Sequence, residues 1–292
     1  MINNSYIENY FKKELFQLYS KIKNLSNSKS PHYARNLAAT EFYKVFLNAS
    51  LIIKGSEYLP YQSSSIFIYN HLNTNPQYEI DLDFQITLDS HFISSFILNK
   101  YYKNPGIRII RNSLSSEKNH SNYYDKFNYI RVYSRDFLPQ NITKKKLKDS
   151  NIDFFKRSLN ELRNNNSIII SPEGVSCETE NSPGKFKSGA FKLATMSRIE
   201  PYIVPIVMVN FDKIISNTTL KCEILKPFKM SDYGITSPHD PNLKDVVATI
   251  NKKYIKQIKS LIDFKLDFKD EISLLKKKIK LKKNKNDLIV LY

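Results

Sequence analysis

The sequence has no tryptophan, two cysteines and six glycines in 292 residues. Cys177 and Cys222 are too few for a disulfide-stapled scaffold or a cysteine-rich zinc module, and they fit a reducing compartment. Also missing is any uncharged apolar run of about 18 residues, the shortest that spans a bilayer; FLNASLIIKG and SSSIFIYN come nearest. The opening MINNSYIENYFKKEL lacks the basic start, the unbroken apolar stretch and the small-residue cleavage site of a signal peptide. Together these absences predict a soluble or peripheral protein of the cytoplasm. No repeat with a period of 20 to 50 residues is visible.

Acidic residues are the other scarcity. Against 45 Lys and Arg there are 28 Asp and Glu, a net charge of +17. Such a surplus suits nucleic acid, an anionic membrane surface or an acidic protein, and charge alone does not choose among them. A chain rich in Lys, Asn, Ile and Tyr is also what an AT-rich genome encodes, which raises Lys without serving any function. With 41% hydrophobic and 13% aromatic residues the chain can bury a core, which excludes disorder. Many of the 19 Tyr and 18 Phe fall in apolar strands or on helix faces, and no nucleic-acid recognition module is present, so nucleic acid is not the expected partner.

Along the chain, Ile7, Phe11, Leu15, Leu18, Ile22 and Leu25 recur at helical steps and predict one amphipathic helix. A break from Ser26 to Ser30 follows, and Pro31 opens a second helix carrying Leu37, Phe42, Val45, Phe46 and Ala49. From Leu51 the pattern changes to short β-branched and aromatic runs: LIIKG, SIFIYN, IRIIR, YIRVYS, SIIIS and YIVPIVMVN, with Leu220 to Pro227 as a further strand. Helical spacing between them covers Asp89 to Tyr102, Ile152 to Asn164 and Gly189 to Arg198. The fold class that follows is α/β, a mixed, largely parallel sheet flanked by helices, with an N-terminal helical addition and a C-terminal helix. The expected division is 1–50 for the helical addition, 51–230 for the α/β domain and 231–292 for a helical, Lys-rich segment. In that last segment Ile250, Tyr254, Ile258 and Leu261 share one face, and Asn251 to Lys285 holds 13 Lys against 4 acidic residues, about half of the surplus charge. A solvated helix end explains such a cluster, and so does contact with an anionic membrane or carrier protein.

Three pieces carry chemistry, each where a strand ends, which is where α/β sheets place their sites. IFIYNHLNTNP ends a strand on Asn70 and His71; a histidine there can act as a general base if a carboxylate holds its other ring nitrogen. SIIISPEGVS runs into Glu173 and Gly174, and NSPGKFKSGAFKLA follows, in which Lys185 and Lys187 precede a helix start that could receive an anion. YIVPIVMVN places Pro205 in a strand, the mark of an edge, an end or a bulge.

In this order and spacing the pieces resemble the glycerolipid acyltransferases, the glycerol-3-phosphate and 1-acylglycerol-3-phosphate O-acyltransferases of the His-x4-Asp type. The resemblance covers about Leu51 to Pro227: IIKGSEYLPYQSSSIFIYNH, then YIRVYSRD, then ISPEGVSCETENSPGKFKSGAFKLA, then IVPIVM. It implies transfer of a fatty acyl group from acyl-CoA or acyl-carrier protein to 1-acylglycerol-3-phosphate or glycerol-3-phosphate, without metal or redox cofactor. The setting implied is peripheral attachment to an anionic membrane surface, on its cytoplasmic face. His71 takes the place of the family's base. The family's aspartate stands five positions after the histidine, where this chain has Pro76, so the His–Asp spacing is altered. Asp81, Asp83 and Asp89 follow. Asp89 is chosen because it begins a helix leading into a basic strand, as in the family, with Asp83 second; Asp is also a favoured N-cap. The resemblance further assigns the acceptor's phosphate to Arg135, with Arg131 as alternative, and gives Glu173, Gly174 and Lys187 substrate-binding places. Ser176 stands where the family commonly has an arginine, for which Arg198, Arg108 or Arg111 could substitute. Transfer to another lysolipid or an amine, and a catalytically inactive lipid-binding protein, are the readings left open beside it.

Overall fold

The computed structural model describes residues 4–265 apart from 63, 82–83, 135–137 and 140. Helix α1 (Asn4–Lys23) buries Phe11, Leu15, Leu18 and Ile22 on one side, as their spacing predicts. Each such side chain contributes about 1.5–3 kcal/mol when fully buried. Ser30 caps α2 (Pro31–Phe46), its hydroxyl accepting from Tyr33 N, and Pro31 takes the first helical position, where a missing N–H costs nothing.

Seven strands then form one sheet. They are β1 (Ser50–Lys54), β2 (Ile66–Tyr69), β5 (Ile107–Arg111), β6 (Ile130–Val132), β7 (Ile168–Ile170), β8 (Ile203–Val209) and β9 (Thr219–Ile224), in the order β1-β9-β8-β2-β7-β5-β6. Five run parallel; β9 pairs antiparallel with β8, and β1 follows β9. β2, β7 and β8 are buried along their whole length, so they read as unbroken apolar runs, because helices cover the sheet. Pro205 lies inside the sheet but at the end of one ladder: Leu225, just past β9, donates its N–H to the Pro205 carbonyl. A second sheet is a small hairpin of β3 (Glu79–Asp81) and β4 (Phe84–Gln85).

Helix α3 (Leu88–Phe92) continues through a π-helical stretch, Ile93–Asn99, into α4 (Lys100–Tyr102). Then come α5 (Lys118–Asp125), α6 (Lys144–Arg163), α7 (Gly189–Met196) and α8 (Leu243–Asp263). α6 starts eight residues before its apolar spacing does, because Thr143 caps a first stretch that is solvated and carries no inward face. α8 buries Leu243, Val247, Ile250, Tyr254, Ile258 and Leu261. The first helices share the core of the sheet. Phe42 of α2 stacks on His91 at 3.9 Å, and Phe46 meets Phe92 and Phe96 edge-on at 5.2 and 5.9 Å. Among the described residues no helix is long and apolar enough to cross a membrane. The lysine-rich stretch beyond Lys265 lies outside the described residues.

Candidate active site

Strand β2 runs into Asn70, which is fully buried. Its side chain replaces the next rung of the ladder to β8: Nδ2 donates to the Met208 carbonyl (2.8 Å) and Oδ1 accepts from Met208 N (2.7 Å). Nδ2 also donates to Ser182 Oγ at 2.9 Å. An amide, with an acceptor oxygen and two N–H hydrogens to donate, is suited to these three bonds, and it fixes the place where the chain leaves the sheet.

His71 follows directly. Its main-chain N–H donates to Glu173 Oε1 (2.7 Å), and its carbonyl accepts from Cys177 N (2.9 Å). Its ring Nδ1 lies 2.6 Å from Asp89 Oδ2, with the side chain a quarter exposed and the carboxylate buried. Nε2 is on the opposite side of the ring, away from the carboxylate. Asp89 Oδ2 also accepts from Leu72 N at 2.8 Å, and Oδ1 accepts from Ser90 N. Thr87, not Asp89, is the N-cap of α3; Asp89 is the second helical residue. One carboxylate oxygen therefore faces the histidine while the other holds an N–H of the first turn. Asp83 and the Asp81 side chain lie outside the described residues.

The 17 residues between His71 and Asp89 are not slack. Asn75 caps a short turn at Pro76–Tyr78, and the β3–β4 hairpin follows. Tyr78, Phe84, Ile86 and Leu88 are buried. Tyr78 meets Phe11 edge-on at 5.4 Å and accepts from Ile215 N at 2.7 Å; Phe84 packs on Tyr123 at 4.9 Å. The insertion is thus anchored between α1 and α5.

Glu173 comes from the end of β7. It is 1% exposed; besides His71 N it accepts from Gly184 N, and the Cys177 thiol lies 3.8 Å from Oε2. Gly174 has φ +73°, a left-handed conformation, and a Cβ there would lie 2.3 Å from Lys187 Nζ. The left-handed turn is what calls for glycine, since the end of the Lys187 side chain that crosses it is flexible. Ser134, at the end of β6, donates to the Gly174 carbonyl at 2.9 Å. Lys187 N donates to the Pro172 carbonyl (2.7 Å), and α7 begins two residues later without a side-chain cap on its first turn.

Burial alone disfavours charge on every group here. For His71 that effect is outweighed by the charge and hydrogen bond of Asp89, joined by Glu173, and the imidazole is held above its ordinary 6.5; Arg108 pulls the other way. For Asp89, burial is outweighed by His71 and by the Leu72 and Ser90 N–H groups, which hold the carboxyl below its ordinary range. For Glu173 burial prevails over the Gly184 and His71 N–H groups, and the carboxyl is pushed up.

The structure thus brings together His71, Asp89, Glu173, Gly174 and Lys187. Arg135 lies outside the described residues. Arg131 is engaged, with Asp125 at 2.7 Å and Ser113 Oγ at 3.0 Å. Of the arginines that could replace the one absent at Ser176, Arg111 is held by Glu117 through two contacts of 2.6 Å, Arg108 is buried, and Arg198 is exposed. Sequence reasoning missed the anchoring of Asn70 to Met208, and Thr87 and Ser182 with it. Thr87 carries a helix-start signal, a threonine two residues before the aspartate. Among the described residues no group of three or more His, Cys, Asp or Glu is placed to hold a metal ion.

Residues 50–209 match the family model described as Acyltransferase. The fold is similar to the crystal structure of the 1-acyl-sn-glycerophosphate (LPA) acyltransferase PlsC from Thermotoga maritima. The TM-score is 0.53 at 15% identity, covering 91% of this chain and all of that one. Comparison with curated proteins returns no match. Since the family model spans more than half of the sequence, from β1 through His71 and Glu173 to the end of β8, the chain belongs to the acyltransferase family.

Proposed function

We propose that the protein is a glycerolipid O-acyltransferase that moves a fatty acyl group from a thioester donor, acyl-CoA or acyl-carrier protein, to the free hydroxyl of 1-acylglycerol-3-phosphate. The observation that carries this is the His71 Nδ1 to Asp89 Oδ2 contact of 2.6 Å, at the carboxyl end of β2. A proton on Nδ1 held by Asp89 leaves Nε2 as the base. Nε2 takes the proton of the acceptor hydroxyl as its oxygen attacks the thioester carbonyl, and Asp89 compensates the imidazolium that forms. Collapse of the tetrahedral adduct breaks the C–S bond, and the imidazolium returns its proton to the sulfur. The products are a new ester and a free thiol, and the histidine ends as it began.

Glu173 holds the main chain of His71 and so fixes where the ring starts from. Lys187 and the uncapped N–H groups of α7 supply positive charge for the acceptor's phosphate, and the resemblance gives Arg135 the same part. Anionic lipid is the surface from which the acceptor is drawn, in keeping with a net charge of +17. A carboxylate within hydrogen-bond distance of His71 favours the catalytic reading over a lipid-binding scaffold.

The test is acyl transfer by purified protein with radiolabelled acyl-CoA and acyl-carrier protein and a panel of lysolipids, glycerol-3-phosphate and amines. Label is expected in a phosphate-bearing acceptor, and His71→Ala is expected to abolish it with the thermal melt unchanged. Transfer retained by His71→Ala would sink the mechanism; wild-type protein inactive with every pair would sink the activity.

A further inference from the structure

Arg108 is 3% exposed, on a strand whose pattern, IRIIR, otherwise leads one to expect solvent-facing arginines. Its guanidinium grips the first turn of α3 on both sides of Asp89. Nη2 donates to Thr87 Oγ1 (2.8 Å) and to Ser90 Oγ, and Nη1 lies 2.8 Å from Nε2 and 3.1 Å from Nδ1 of His91. Thr87 is the N-cap, yet its hydroxyl makes no capping bond; it is spent on Arg108. Tyr124 and Tyr129 face the cation with ring centroids at 5.6 and 5.3 Å. Among the described residues no Asp or Glu forms an ion pair with it, and its Nε has no hydrogen-bond partner.

As a purely structural device this is a poor one. Burial of a cation without a carboxylate partner is costly, a cost that the surrounding tyrosines offset, and a positive charge at the N-terminal end of a helix opposes the helix dipole. What the arrangement achieves is orientation. Asp89 reaches His71 across 18 positions of sequence, so no short loop holds the two together. A guanidinium fork bound to the residues before and after the aspartate fixes the rotation of that turn, which a point-like ammonium cannot do as well.

We propose that Arg108 is a positioning residue that pins the first turn of α3 and thereby fixes the Asp89 carboxylate against the His71 ring. The inference rests on His71 being the base and extends that reading to a residue that touches no substrate. Among the described residues, the charged or titratable groups around His71 include Asp89 from α3, Glu173 and Cys177 from the segment after β7, Tyr69 from β2 and Arg108 from β5. Of these, Asp89 provides the largest upward pull on the imidazole. A turn that drifts therefore lets burial lower the His71 titration.

The test uses the full-length protein labelled with ¹⁵N-histidine, His71→Ala identifying its resonance among the five histidines. Arg108→Lys keeps the charge and loses the fork. Thr87→Val removes one acceptor of the guanidinium at no loss of helix capping, and serves if the lysine variant fails to fold. Arg108→Lys is expected to lower kcat about 10- to 100-fold, the cost of a small misplacement, with KM for the acyl donor unchanged. The His71 titration moves down, and Thr87→Val shifts both quantities in the same direction by less. Wild-type titration of His71 in both variants overturns the proposal, whether or not kcat falls, since loss of folded protein lowers rate without moving that titration. A lowered titration with unchanged kcat supports Arg108 as the positioner of Asp89 and instead removes His71 as the base.

Discussion

Asp89 and Glu173 are equally buried, each 1% exposed, and both bond His71, one at the ring and the other at the main chain. Their ionisation is pushed in opposite directions, Asp89 below and Glu173 above the ordinary carboxylate range. Burial is the same for both, so the partner decides. Asp89 faces an imidazole that can take a full positive charge, whereas Glu173 faces N–H dipoles with that imidazole further off. On the proposed mechanism one carboxylate is thereby matched to a charge that develops during reaction, the other to a geometry that does not change.

The sharpest way to break this contrast is Asp89→Asn, which keeps the volume and removes the charge. A fall in kcat of about 10⁴-fold is expected, the scale seen when a His–Asp pair loses its carboxylate. It is read by acyl transfer beside a thermal melt. The pH profile gives the sign. His71 must be neutral to act as a base and its pKa is raised above 6.5, so wild-type activity disappears as pH falls through that raised value. In Asp89→Asn the upward pull is gone, and the acid limb of the residual activity moves to lower pH; a limb that stays in place would show that Asp89 does not govern the ring.

Glu173→Gln should act on the fold more than on the reaction. A glutamine cannot present two acceptor oxygens, so either His71 N or Gly184 N loses its partner. The expected cost is about 1.5–3 kcal/mol in urea unfolding, the range for hydrogen bonds to a charged group, and a loss of rate smaller than that of Asp89→Asn. Equal losses of rate would erase the distinction between the two carboxylates. The smallest effect belongs to Tyr78→Phe, remote from both. It leaves the buried Ile215 N without its acceptor and should cost about 1 kcal/mol of stability, with kcat unchanged.

The strands were legible because most are covered on both faces, so the runs from SIFIYN to YIVPIVMVN stand out as apolar blocks. α1 and α8 were legible for the opposite reason: one face is wet, which leaves helical spacing among lysines and asparagines. Four stretches were not. β3 and β4 have three and two residues, too few for any period to appear. α5 is KNHSNYYD, whose inward side chains His120, Tyr123 and Tyr124 are amphipathic, and the first turns of α6 have no inward side to betray them.

In the site, His71, Glu173 and Gly174 show themselves by ending apolar strands. Asp89 could only be ranked against Asp81 and Asp83, because the contact that singles it out depends on how 17 intervening residues fold. Arg108 could be named only as a possible anion-binding arginine, and its inward place left no signal. Alternation along a strand sends a polar residue toward water, and only the polar groups of α3 and the rings of Tyr124 and Tyr129 explain an arginine facing inward.

Those intervening residues also limit what can be exchanged between this chain and others of its family. A chimera with a four-residue spacer between His71 and Asp89, as the resemblance implies for relatives, would excise Tyr78, Phe84 and Ile86 from the core, unseat α1, and discard the threonine that Arg108 holds. The spacer and the N-terminal helices are therefore one transplantable unit, and a graft that takes either alone should yield insoluble protein rather than a slow enzyme.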